Sequence, residues 1–195
     1  MLFRMLGGCR RPYLSMSLPS RLRAAAPVAA LSLLLGCSPT FNWREVPVGP
    51  AGAVALLPCK AERASRNLPL GAESVAIDMA GCEAGGATFA VARAHAVDAQ
   101  QAAAWLEAWR SATRAQLAGR RLTESAAQLA RAASKPAPAR LDTAAAGTEA
   151  DAAQAHMVWF AHPVGTSVDL YQATVIGRPT SPEAVGTFFE GLRLP

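Results

Sequence analysis

The sequence lacks the common signatures from which an activity can be read directly. It contains only three histidines, and none stands in a His-x-x-x-His or His-Glu-x-x-His pattern that indicates zinc. No Gly-x-Ser-x-Gly segment is present, so a nucleophile-elbow serine is not indicated. The carboxylates are scattered, without a spacing that implies paired acid–base work. These scattered carboxylates include Asp78, Glu83, Asp98 and Asp169. The sequence therefore predicts no catalytic, metal-binding or cofactor-binding residue.

Aromatic residues and long apolar runs are also scarce. Phenylalanine, tryptophan and tyrosine make up 6% of the chain, so these few large side chains are needed to fill a core. The apolar run at residues 24–35 has about a dozen residues, whereas a membrane-spanning helix needs roughly 20. A run of this length after a basic segment is typical of a signal peptide. The alternative is a short buried helix in a globular domain.

The basic residues before this run are five arginines, namely Arg4, Arg10, Arg11, Arg21 and Arg23. A start at Met16 leaves a compact leader. A start at Met1 adds Arg10-Arg11-Pro12-Tyr13-Leu14, which resembles a twin-arginine export motif. Because Arg21 and Arg23 separate that motif from the apolar run, general secretion is favoured over twin-arginine export. Both routes place the rest of the chain across the inner membrane.

The apolar run ends in Leu34-Leu35-Gly36-Cys37, which resembles a bacterial lipobox. The resemblance implies cleavage between Gly36 and Cys37, a lipid on the Cys37 thiol and acylation of the new amino terminus. Ser38 follows the cysteine, where aspartate would favour retention in the inner membrane, so the resemblance implies the outer membrane, facing the periplasm. We therefore expect a signal peptide at 1–36, a lipidated tether at 37–40 and a single domain at 41–195.

The net charge of +5 belongs to the leader. Without its five arginines, fourteen basic residues remain against fourteen acidic ones. A neutral domain has no electrostatic footprint for nucleic acid, so the expected partners are the membrane and an envelope protein.

Alternating apolar residues predict strands in the remaining chain. The predicted strands are residues 41–48, 53–57, 63–70, 74–79, 88–94, 156–160 and 168–176. The first five read as an antiparallel meander. The last is apolar on both faces, which predicts a central strand covered on each side. Residues 134–152 are rich in breakers and predict a mobile loop, whereas residues 120–133 fit either a helix or a strand.

Two helices are predicted. One starts at a capping-box-like Asp98 and ends before Gly119, with Trp105 and Trp109 on its apolar stripe. Core packing is favoured for these tryptophans over a ligand platform. The other starts at Ser181, as the N-cap, followed by a proline. The predicted fold class is α+β, with a mostly antiparallel sheet packed against a middle and a C-terminal helix.

The four cysteines separate by position. Cys9 leaves with the leader and Cys37 takes the lipid, which leaves Cys59 and Cys82 on the oxidising side of the membrane. We expect these two to form a disulfide. A metal or redox pair is the alternative, disfavoured because the spacing is not Cys-x-x-Cys and no histidine lies nearby.

The order of these parts resembles the PsbP-like fold over residues 41–194. The matching segments are Leu57-Pro58-Cys59-Lys60, Tyr171-Gln-Ala-Thr-Val-Ile176 and Phe188-Phe189-Glu-Gly-Leu-Arg-Leu194. The first is like that group's apolar-Pro-Gly-Lys turn, with Cys59 where glycine is frequent. The resemblance implies an α/β sandwich that acts as a binding or assembly module, and it carries over no catalytic residue.

Two functions follow as hypotheses. The first is a non-enzymatic lipoprotein of the cell envelope that binds a partner or assists an assembly. The second is a lipid-anchored hydrolase or small-ligand binder with a pocket near His156, His162 and Tyr171. A buried histidine with an acidic partner in a deep cleft would favour the second, and scattered surface histidines would favour the first. The sequence predicts no specific role for His95, at a strand end, or for Arg178.

Overall fold

The computed structural model describes residues 40–143 and 154–195, which form nine strands and two helices. The strands are β1 (Arg44–Val48), β2 (Ala53–Leu57), β3 (Glu62–Leu70), β4 (Glu73–Ala84), β5 (Ala87–Ala96), β6 (Leu122–Ala126), β7 (Ala139–Thr143), β8 (Ala155–Val164) and β9 (Ser167–Gly177). The helices are α1 (Ala99–Gln116) and α2 (Glu183–Glu190). The predicted signal peptide and Cys37 lie outside the described residues.

Seven strands form one antiparallel sheet in the order β3-β4-β5-β9-β8-β7-β6. The fold is therefore α+β with a large antiparallel sheet. The prediction for residues 168–176 is confirmed, because β9 is the middle strand and its residues from 168 to 171 are all buried. The predicted five-strand meander is only partly right, since β1 and β2 form a separate hairpin.

Helix α1 covers one face of the sheet. Its apolar stripe is buried among side chains of β4, β5, β8 and β9, as the helical spacing predicts. Trp105 and Trp109 are 8% and 5% exposed, so the core role favoured for them holds. Asp98 caps the helix by accepting a hydrogen bond from the Gln101 backbone at 2.8 Å.

The other face is covered mainly by the β1–β2 hairpin. Val48, Ala55 and Leu57 pack here on Phe89 and Val175 of the sheet. The prediction that both helices pack on the sheet is half right. Helix α2 lies against β2 instead, although its Phe188 ring meets Phe89 edge to face at 5.6 Å. The hairpin occupies the position on the sheet that a second helix was expected to fill.

Three predicted boundaries are wrong. Residues 139–143, inside the predicted mobile loop, form β7, and residues 144–152 of that loop lie outside the described residues. The strand predicted to end at residue 79 continues as β4 to Ala84, so only Gly85 and Gly86 separate it from β5. Ser181 does not cap α2, since its hydroxyl donates to the Glu183 carboxylate at 2.6 Å. The undecided segment 120–133 contains strand β6.

Candidate functional site

The cysteine pair is the predicted feature that the structure shows most directly. Cys59 follows β2 and Cys82 lies in β4, and the two form a disulfide with an S–S distance of 2.05 Å. The bridge therefore ties the covering hairpin to the sheet. Within residues 40–143 and 154–195, no group of three histidine, cysteine or acidic side chains could hold a metal ion, and no helix is long and apolar enough to cross a bilayer.

A buried ion network lies on the hairpin face of the sheet and consists of Arg93, His95, Asp169 and Tyr171. The Asp169 carboxylate, which has no exposed surface, accepts hydrogen bonds from three side chains. Arg93 donates from Nε to Oδ2 at 2.7 Å and from Nη2 to Oδ1 at 2.8 Å. The Tyr171 hydroxyl donates to Oδ2 at 3.2 Å, and His95 Nδ1 lies 2.7 Å from Oδ1. The network therefore satisfies both carboxylate oxygens.

Strand register brings these side chains together. Asp169 on β9 faces His95 on β5, and two pairs further along Tyr171 faces Arg93. Side chains two residues apart share a face of a strand, so all four lie on the same side of the sheet. His162 on β8 stands opposite Asp169 on the other flank. Its Nδ1 lies 3.3 Å from the Arg131 carbonyl oxygen, which is its only described hydrogen bond.

The electrostatics of the network keep Asp169 ionised. Burial alone raises the pKa of this carboxyl group, but the hydrogen bonds and charges of Arg93 and His95 outweigh it, so the pKa lies below its ordinary value. Burial, reinforced by the Asp169 charge, raises the pKa of the Tyr171 hydroxyl, which stays protonated and donates. The network is thus a compensated arginine–carboxylate pair with two additional donors.

The turn between β1 and β2 closes over the network. Gly49 has a φ of 77°, and a Cβ atom there would overlap the Arg93 side chain. Arg93 is consequently only 8% exposed, although Asp78 contacts its Nη1 at 3.5 Å from a 57% exposed position. Only His95, with 49% of its side chain exposed, connects the network to solvent. The arrangement resembles a structural ion pair more than a substrate-binding cleft.

A second cluster, the His156 triad, lies near the other end of β8 and consists of Arg140, Asp142 and His156. Arg140 Nε donates to both oxygens of Asp142, at 3.0 and 2.8 Å, and His156 Nδ1 lies 2.6 Å from Oδ1. Burial raises the pKa of Asp142, but the hydrogen bonds from Arg140 and His156 outweigh it and the pKa is lowered. The carboxylate therefore accepts, and His156 donates from Nδ1.

A cavity of about 540 Å³ adjoins the His156 triad. Its lining comprises Gln154, His156, Arg178, Pro179, Pro182, Val185 and Gly186. Of the polar groups among these, Arg178 is exposed and makes no hydrogen bond or ion pair with any residue that the structure describes. The lining therefore combines an arginine that has no partner among the described residues, an oriented imidazole and aliphatic surface.

The structure does not bring His156, His162 and Tyr171 into one pocket. His156 and His162 lie six residues apart on β8, which is about 20 Å along a strand. Tyr171 belongs to the buried ion network and His162 stands opposite its Asp169, whereas His156 lines the cavity beside α2. The predicted pocket thus divides into two separate places, and the one at His156 adjoins a cavity.

Sequence reasoning missed Arg93, Arg140 and Asp142. A signal for Arg93 was present, because it has the same parity as the apolar Phe89 and Val91 in the strand predicted at residues 88–94. An arginine on an inward-facing position requires a buried acidic partner, and Asp169 in the central strand was the matching residue. Arg140 and Asp142 carried no such signal, since their strand was predicted to be a loop.

Comparisons with known proteins do not add to this geometry. No family model matches the chain, and no curated protein matches it.

Proposed function

We propose that this chain is a non-enzymatic lipoprotein that is anchored through Cys37 to the outer membrane and faces the periplasm as a binding or assembly module. The observation that carries the proposal is the order of basic segment, apolar run and Leu34-Leu35-Gly36-Cys37. The disulfide between Cys59 and Cys82 supports it, because disulfides persist in oxidising compartments such as the periplasm.

The proposed anchor is sufficient in energetic terms. Each buried methylene contributes about 0.8 kcal/mol, and a single acyl chain gives only reversible binding. Two or three chains on Cys37 would hold the domain at the membrane without a protein span.

The two histidine–aspartate pairs favour binding over hydrolysis. In each pair an arginine binds the carboxylate directly, at 2.7 Å in Arg93–Asp169 and 2.8 Å in Arg140–Asp142. Because the arginine already compensates the negative charge of the carboxylate, the contact between carboxylate and imidazole mainly orients the ring. No serine or cysteine makes a hydrogen bond to either histidine among the described residues. These pairs therefore serve structure and recognition better than nucleophilic catalysis.

We also propose that the α+β fold is of the PsbP-like type. The support is the segment Leu57-Pro58-Cys59-Lys60, which follows the second strand, together with Tyr171–Ile176 in the central strand and the closing helix before Leu194. This type of fold would agree with a binding or assembly role.

The exposed edge of the sheet is the surface we propose for an envelope protein. β3 is an edge strand of nine residues, and Glu62–Asn67 are all exposed. The outward backbone groups of such an edge can pair with an extended segment of a partner. β6, at the opposite edge, has only five residues and offers fewer of these groups.

Photo-crosslinking in the native envelope tests this function. A photoreactive amino acid at Ser65 on β3 is compared with one at Ser125 on β6, because both serines are exposed on edge strands. We expect a specific envelope protein to crosslink from Ser65 and not from Ser125. The absence of any specific crosslink from either position, with the protein correctly localised, would contradict a protein-binding role.

A second candidate function is supported by the cavity beside the His156 triad, namely binding of a small ligand. A volume of about 540 Å³ falls in the range of known small-molecule sites, about 300–1,000 Å³.

A further inference from the structure

The lining of the cavity beside α2 contains both polar and aliphatic groups, which match the two parts of a simple amphiphile. Arg178, Gln154 and His156 supply a cation, an amide and an imidazole. Pro179, Pro182 and Val185 supply aliphatic surface. Ligand sites generally combine mostly apolar walls with a few polar groups that fix orientation.

We propose that this cavity binds a small organic carboxylate, with its carboxylate on Arg178 and His156 and its apolar part against Pro182 and Val185. The proposal gives a ligand class to the second candidate function and does not depend on the anchor.

Arg178 is the primary anion-binding group. Its guanidinium has no partner among residues 40–143 and 154–195, so binding a carboxylate breaks no ion pair that the structure describes. Arginine presents paired N–H donors that match the two oxygens of a carboxylate. The other arginine nearby, Arg140, is occupied by Asp142 and stacks on the Phe189 ring at 4.9 Å. Arg140 is therefore paired within the protein, whereas Arg178 has no partner among the described residues.

His156 is oriented for the same ligand. Its Nδ1 is held by Asp142 at 2.6 Å, which leaves Nε2 as the ring nitrogen that a ligand can reach. When both ring nitrogens carry a proton, Nε2 donates to the ligand carboxylate. The charged groups that face this ring are Asp142 and Arg140 from β7 and Arg178 after β9. From α2, only Val185 and Gly186 reach the cavity, and Glu183 is engaged by Ser181.

Calorimetric titration of the purified full-length protein in detergent tests the site, with benzoate as the probe and benzamide as its neutral counterpart. We expect one saturable benzoate site. Benzamide should bind at least about tenfold more weakly, which is the ratio of affinities typical of a charge-assisted hydrogen bond. Arg178→Gln should lower benzoate affinity by a similar factor of about ten, and Arg178→Lys by less. Because Arg178 is exposed, neither variant should change the urea midpoint.

Arg66→Gln is the matched control. Arg66 is an exposed arginine on the edge strand β3 that lines a groove beside α1, on the other face of the sheet. Its substitution should leave benzoate affinity unchanged. Equal weakening by Arg66→Gln and Arg178→Gln, equal affinity for benzoate and benzamide, or no saturable benzoate binding would each overturn the proposal. A negative result here combined with a Ser65 crosslink would leave the proposed protein-binding function standing.

Discussion

At the scale of single residues, the feature with the largest energetic consequence is the Asp169 carboxylate. It is buried without exposed surface and accepts from Arg93, His95 and Tyr171. An isolated buried charge would be very unfavourable, so each partner depends on the others. Removing one member of such a pair leaves an uncompensated charge, which costs more than the pair itself contributes.

Asp169→Asn should therefore destabilise the protein strongly. The substitution leaves Arg93, with 9% of its side chain exposed, without its main counter-charge. We expect a loss of about 3–5 kcal/mol in the free energy of unfolding, measured by urea denaturation at neutral pH. Asp78→Asn is the control, because Asp78 contacts the same guanidinium from the surface and should cost less than about 1 kcal/mol. Equal effects of the two substitutions would contradict this assignment.

The contribution of the Asp169 carboxylate to the free energy of unfolding should be lost only at low pH. Because its pKa is lowered in the folded state, the stabilisation is present above the unfolded value of about 3.9 and is lost as pH falls through the folded value. The stability difference between wild type and Asp169→Asn should persist from about pH 5 to about pH 4 and should shrink below about pH 4. Urea midpoints across this series measure it, and disappearance of the difference above about pH 4 would contradict the lowered pKa.

Residue positions were only partly predictable. The parity of Arg93 within its strand was visible, but its partner lies 76 positions along the chain, and pairing over that separation depends on strand order. The order places β9 beside β5, which no local pattern encodes. The cysteine pair was predictable because only two cysteines remained once Cys9 and Cys37 were assigned to the predicted leader and anchor.

At the scale of elements, strong periodicity was decisive. Helix α1 and strand β9 were predicted closely, since a tryptophan-bearing stripe and a doubly apolar strand are specific signals. β7 was missed because alanine, proline and polar residues around it resemble a loop. Its pairing with β8 supplies the stabilisation that its own sequence does not.

The cap of α1 provides a test at this scale. Asp98→Ala removes the side-chain acceptor for the Gln101 backbone N–H, so we expect a loss of about 1 kcal/mol in the free energy of unfolding. Glu107→Ala, at a 71% exposed site on the same helix, should cost less than about 0.5 kcal/mol, because it loses only a surface ion pair. A Glu107 effect as large as that of Asp98 would argue against the cap.

The disulfide should stabilise the attachment of the hairpin. It closes a loop with a sequence separation of 23, and the chain-entropy model gives about 3 kcal/mol for a loop of this size. The double variant Cys59→Ala, Cys82→Ala should lose about that amount in urea denaturation. Reducing agent should weaken wild type to a similar extent and leave the double variant unaffected. An unchanged wild-type midpoint under reduction would contradict a stabilising bridge.

At the scale of the whole molecule, the sheet is covered by α1 on one face and by the β1–β2 hairpin on the other, and a covalent bridge links the hairpin to the sheet. Basic and acidic residues balance in residues 37–195. The best candidate sites are the edge of the sheet at β3 and the small cavity beside α2. Such a domain gains a defined location only if something outside it supplies one. The lipobox-like cysteine is the segment of the chain that can do so.

Cell fractionation of wild type and Cys37→Ser, with a clickable fatty acid in the growth medium, tests that claim most directly. We predict that wild type carries the label and pellets with the outer membrane, whereas Cys37→Ser is unlabelled and leaves the membrane fraction. A wild-type protein without label, or a Cys37→Ser protein that remains labelled and membrane-bound after leader cleavage, would contradict the account.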